Sequence, residues 1–132
     1  MNKAKVNAYL PRAIEALTKF GIATENGVIV KTYRANISSF GAAITMGSFK
    51  AAVAFFAKDA DSANQNRKEK VNRSLLICAM NYVVNGSVKS ANTICKDIIL
   101  MNNADIPALC EEYINASIAL KLAMNGFDLI AA

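Results

Sequence analysis

Apolar residues recur at helical spacing along almost the whole chain, and strand-like alternation is confined to Gly27-Val28-Ile29-Val30. The first predicted helix runs from Lys3 to Phe20, with Gly21 as its left-handed stop. Pro11 falls inside it and is expected to kink the helix or move its start. Asn26-Gly27 marks a turn. A second helix spans Thr32 to Met46, where Tyr33, Ile37, Phe40 and Ile44 form one apolar stripe. Its Gly41-Ala42-Ala43 segment predicts a narrow waist that another backbone approaches closely. Gly47 ends this helix and Ser48 caps a third, Phe49 to Lys58, which buries Phe49, Ala52, Val53 and Phe56. Helices two and three therefore read as a hairpin with almost no connecting loop.

A polar break at Asp59–Gln65 precedes a fourth helix, Asn66 to Val84, with Val71, Leu75, Cys78 and Tyr82 toward the core. Asn85-Gly86-Ser87 ends it, and a fifth helix, Val88 to Leu100, turns Ala91, Ile94 and Ile98 inward. Asp105 is expected to cap a sixth, with Pro107 tolerated in its first turn. Leu109, Tyr113, Ala116, Leu120, Ala123, Phe127 and Ile130 then keep a heptad seam, which reads as a core stripe or as a surface for self-association. Asn125-Gly126 offers an earlier end to that helix. The expected fold is all-α: a single-domain bundle over residues 1–132, with about six helices, a tight hairpin and a long C-terminal helix.

Composition narrows the function classes. At 54% hydrophobic and 19% charged, the chain is not intrinsically disordered. The longest charge-free stretches, Ala35–Phe49 and Ser74–Val88, are shorter than the roughly 18–20 apolar residues of a spanning helix. With no export leader at its start, the chain is expected to be soluble, cytoplasmic and without a membrane partner. There are no histidines, which removes Ser-His and Cys-His dyads, HExxH zinc sites and the usual general base near neutral pH. Cys78, Cys95 and Cys110 are widely spaced and read as inert, reduced, buried thiols. Glu111 and Glu112 are neighbours and point about 100° apart on a helix. Asp59 and Asp61 have no partner residue types nearby. No glycine-rich phosphate loop is present. The expectation is a non-enzyme with no cofactor, no metal and no small-molecule substrate.

Charge is unevenly divided. Residues 1–58 carry +6, residues 59–73 carry +1 and residues 74–132 carry −2, a distribution that suggests one face for a polyanion. Lys31, Arg34 and Ser38 share the polar side of helix two, and Lys50 and Lys58 lie roughly 12 Å apart along helix three. Arg67, Lys68, Lys70 and Arg73 crowd the predicted start of helix four, where the helix dipole favours an anion. These eight residues are the candidate RNA-binding set. Helix two, Gly47-Ser48 and helix three also have the outline of a helix–turn–helix. Only Lys50 and Lys58 of that second helix could reach base edges, so base-specific DNA readout is not expected.

The run Tyr33-Arg34-Ala35-Asn36-Ile37-Ser38-Ser39-Phe40-Gly41-Ala42-Ala43-Ile44, then Gly47 and Ala51-Ala52-Val53-Ala54-Phe55-Phe56, resembles the small helical subunit of the type III-B CRISPR effector, the Cmr complex. Upstream, Pro11-Arg12-Ala13-Ile14-Glu15-Ala16-Leu17 also fits, and the resemblance covers about residues 9–58. Ser48-Phe49-Lys50 stands where the family usually has an aliphatic residue after the glycine, placing an added charge toward RNA. The resemblance implies a non-catalytic subunit of antiviral defence, lying in a filament along the guide and target RNA channel. Its partners would be other Cmr subunits, copies of itself, guide RNA and target RNA. Contacts would go to phosphates, since guide pairing supplies sequence specificity. The alternative is a small helical DNA-binding or protein-interaction module, dimeric through its last helix.

Overall fold

A computed structural model describes residues 1–58 and 71–131. The fold is all-α: the described residues form six α-helices, with a two-residue turn between the second and third and a long C-terminal helix, together with one small β-pair. Helix α1 spans Lys3–Lys19, with the Asn2 side chain accepting the N–H of Lys5 at 3.1 Å as its N-cap. It runs as one helix through Pro11 and starts at Lys3, so the start is not moved. Proline removes the donor that Asn7 would receive, but Asn7 and Pro11 are both exposed and water can serve that carbonyl. Past the Phe20 cap, Gly21 takes the left-handed conformation at φ 75°, and Ala23 N–H returns to Leu17 O at 2.8 Å.

Strand β1, Val28–Val30, leads directly into α2, Lys31–Met46. The α2 stripe is buried at Tyr33, Ile37 and Phe40 and half-buried at Ile44. Gly47-Ser48 then reverses the chain, and the Ser48 hydroxyl caps α3, Phe49–Ala57, by accepting from Ala51 N at 3.1 Å. Phe40 holds this hairpin together, with edge-to-face contacts to Phe49 at 6.5 Å and Phe56 at 5.3 Å. The expected waist is on the other side. Gly41 is exposed, and a Cβ built there meets nothing within 4 Å, because the 3.6-residue repeat that buries Phe40 turns the next position to solvent. Gly41-Ala42 is therefore no close helix crossing.

Helix α4 is Ser74–Asn85 and begins later than the predicted Asn66; residues 71–73 are not helical. Asn72 explains the late start, since its side chain accepts from both Ser74 N at 2.9 Å and Ser74 Oγ at 2.5 Å. The core face is also rotated from the expected one. Leu76, Ile77, Met80 and Val83 are fully buried, and of the four expected residues Val71 and Cys78 are buried whereas Leu75 and Tyr82 are only half-buried. Helix α5, Ala91–Ile99, is capped by Ser90 and buries Ala91, Ile94 and Ile98. Before α6, Ile106–Ala123, a 3-10 turn at Asn103–Asp105 is capped by the Asn102 side chain, so the expected Asp105 side-chain cap is not made.

α6 packs against α1, α4 and α2. Tyr113, Ala116, Leu120 and Ala123 of its seam are buried in this packing and form a core stripe. The helix stops at Ala123, and a 3-10 turn delivers β2, Asp128–Ile130, to pair in parallel with β1, Val28 opposite Asp128. Phe127 and Ile130 thus leave the heptad for the strand end of the molecule.

Candidate nucleic-acid interface

The candidate cations fall into different roles once folded. Lys31 and Arg34 lie in the first turns of α2 and, with Ala35, Ser38, Lys121 and Leu129, line an open depression. Lys121, near the end of α6, was not among the candidates; nothing in the sequence connects it to a helix ninety residues earlier. Arg34 Nη1 donates to Asn125 Oδ1 at 2.5 Å, which fixes the guanidinium beside the C-terminal end of α6. Among the described residues, Lys31, Arg34 and Lys121 are in no ion pair, and no carboxylate lines the depression. The start of α2 has neither an acidic residue in its first turn nor a side-chain cap. Three cations thus line one depression with no carboxylate among its lining residues, an arrangement favourable to a phosphate.

Lys50 does something else. Its ammonium donates to Ile99 O, Met101 O and Asn103 Oδ1, each at 3.0 Å, so all three N–H groups are used inside the molecule. It closes the C-terminal end of α5. Lys58 and Arg73 meet elsewhere, over the ring of Phe55, with Lys58 Nζ at 4.6 Å and Arg73 Cζ at 4.4 Å from its centroid. Arg73 immediately precedes α4 rather than lying inside its first turn. Arg67, Lys68 and Lys70 lie outside the described residues.

The remaining N-terminal cations are mostly engaged. Arg12 Nη1 donates to Val83 O at 2.9 Å near the end of α4, and Lys5 pairs with Glu112 at 3.2 Å. Lys19 sits 5.4 Å over the ring of Tyr82, whose hydroxyl donates to Glu15 at 2.6 Å. The +6 of residues 1–58 is therefore not one uniform face. Lys3, Lys31, Arg34 and Lys58 remain: Lys31 and Arg34 line the depression, Lys58 lies over Phe55, and Lys3 is exposed near the start of α1. Tyr33 ties the depression and the Phe55 cluster together, because its hydroxyl accepts the N–H of Asn72 at 3.2 Å and fastens the segment bearing Arg73 to the first turn of α2.

Among the described residues, no group of three or more Cys, Asp or Glu is placed to hold a metal ion, and no helix is long and apolar enough to cross a membrane. A second cavity, of about 190 Å³, opens between α4, α5 and α6 over Ile94, Ile98 and Leu109. Its polar groups are internally satisfied: Asn81 accepts from Asn85 at 2.8 Å and donates to Ser87 O at 3.0 Å. Comparison with protein-family models, with curated proteins and with solved structures finds no match.

Proposed function

We propose that this chain is a non-catalytic, RNA-contacting subunit of a CRISPR RNA-guided effector of the type III-B kind, acting in antiviral defence. In this reading it lies beside other Cmr subunits and further copies of itself, along the channel holding guide and target RNA. The observation that carries the reading is the depression of Lys31, Arg34 and Lys121, three cations from two helices with no carboxylate lining it. Such a surface binds phosphates and is indifferent to base sequence, as a subunit needs when guide pairing supplies specificity. The residues that carry the family resemblance support it in a second way. Tyr33, Ile37, Phe40, Phe49 and Phe56 are all buried, so that run builds the hairpin supporting the depression.

A DNA-reading helix–turn–helix fits less well. The face of α3 is buried at Phe49, Val53 and Phe56, and Lys50 is consumed by α5 and the turn before α6. The test is affinity purification of the tagged chain from its host followed by sequencing of the bound RNA. Guide RNA in the eluate is the expected outcome. An eluate carrying DNA, or no nucleic acid, overturns the reading.

A further inference from the structure

We infer that the cavity between α4, α5 and α6 binds a small aliphatic zwitterion, an α-amino acid with an apolar side chain. This site shares no residue with the depression of Lys31, Arg34 and Lys121, and it stands apart from the RNA reading. Ile94, Ile98, Met101 and Leu109 line about 190 Å³. The two isoleucines are buried and the other two residues half-buried, so apolar side chains make the floor and walls. Drug-sized ligands take roughly 300–1,000 Å³, so the occupant here is small. The Asn81 amide is committed to Asn85 and Ser87, which leaves water in the cavity few polar partners. Water held so loosely is displaced with a gain in affinity by an apolar group.

Two polar features orient the occupant. At the mouth, Lys89 Nζ and Asp97 Oδ2 are 3.5 Å apart and both are exposed, a loose pair that offers one charge of each sign. Deeper, Tyr113 is 1% exposed, and among the described residues its hydroxyl makes one hydrogen bond, a long one of 3.4 Å to Asn81 Oδ1. The phenol oxygen is therefore a buried acceptor with capacity to spare. Its proton is held by burial first and then by the charges of Cys78 and Asp97, so the Asp97 carboxylate is close to it. A ligand ammonium then has two acceptors, Asp97 and the Tyr113 oxygen, while a ligand carboxylate has Lys89. A plain anion would meet Asp97 and a plain cation Lys89, each a like charge. The aliphatic side chain covers Ile94, Ile98 and Leu109.

The experiment titrates the full chain calorimetrically with leucine, isopentylamine, 4-methylpentanoate and glycine, which in turn remove the carboxylate, the ammonium and the side chain. Leucine is expected to bind about tenfold or more tighter than each of the other three, the scale of one charge-assisted hydrogen bond. Asp97→Asn and Lys89→Met change exposed positions and are each expected to erase most of that advantage. Leu109→Trp fills the cavity from a half-buried wall and is expected to abolish binding, with the fold checked by thermal melt. Leucine binding no tighter than isopentylamine or 4-methylpentanoate overturns the zwitterion assignment. Wild-type affinity in both charge variants, or in a folded Leu109→Trp chain, overturns the site. Absence of saturable binding by leucine, valine and methionine also overturns it, and each of these results leaves the RNA reading standing.

Discussion

Lys50 and Asn103 are 53 residues apart in the chain, yet the Lys50 ammonium donates to the Asn103 amide oxygen at 3.0 Å. Its other two protons go to Ile99 O and Met101 O, where the last carbonyls of α5 lack helical partners and the negative end of the helix dipole lies. In a basic chain, one of the most plausible phosphate-binding lysines is thus part of the fold.

Lys50→Met should lower stability by about 1–3 kcal/mol, because three acceptors lose a charged donor at a partly solvated site. The slope of RNA affinity against salt should stay as in wild type. Urea denaturation and a salt titration check the two halves. Wild-type stability with a flatter slope would return Lys50 to the RNA surface.

Neighbouring positions on α2 should behave oppositely. Phe40 is fully buried, so Phe40→Ala should cost about 3–5 kcal/mol. Gly41 faces open space inside a helix, so Gly41→Ala should add about 0.5–1 kcal/mol. Thermal melts of the two variants decide; a Gly41→Ala chain destabilised like Phe40→Ala would mean that this face is packed.

Much of this architecture was legible in the sequence, and the exceptions have physical reasons. Tyr33, Ile37, Phe40 and the Gly47-Ser48 turn were readable because period and cap are local signals. The α4 face was misread because that helix is buried on most of its circumference, from Leu76 to Val83, and periodicity fades when several sides are apolar. Strand β2 was hidden because Ile130 continues the heptad spacing while its partner Val30 is a hundred residues away. That Lys31 and Arg34 share one side of α2 was readable from helical spacing, and both line the depression. Lys121 and the engagement of Lys50 depend on tertiary contacts that no local pattern encodes.

The cysteines should separate by burial rather than share one inert state. Cys78 is 8% exposed and its thiol is pushed up by burial, while Cys95 and Cys110 are half-buried. Cys110 is also raised, by burial first and then by Glu111. A thiol reagent without denaturant should modify Cys95 and Cys110 before Cys78. Equal rates at all three, followed by peptide mass mapping, would contradict the burial order.

Alkaline pH should destabilise the fold. Burial raises the phenols of Tyr113 and Tyr33 above the ordinary tyrosine value, so the folded state holds these protons longer than the unfolded chain. Stability is then complete below about pH 10 and falls as pH rises from there through the raised folded values. Tyr113→Phe should flatten that alkaline loss in urea midpoints measured against pH. An unchanged profile would mean that Tyr113 ionises as freely folded as unfolded.

The central claim is that Lys31, Arg34 and Lys121 meet RNA phosphates, and the salt dependence of RNA binding tests it most directly. Lys31→Glu, Arg34→Glu and Lys121→Glu are combined in one chain, whose fold is checked by its thermal melt, and assembled into the guide-loaded complex proposed above. The slope of log affinity for matched target against log salt is then compared with wild type. Each lost phosphate contact should flatten the slope by about 0.7 on a single strand and about 0.9 on a duplex. The account predicts weaker binding with a slope flatter by roughly two to three such steps and assembly intact. An unchanged slope and affinity in the folded, assembled variant would contradict it, leaving the depression an ordinary solvated surface.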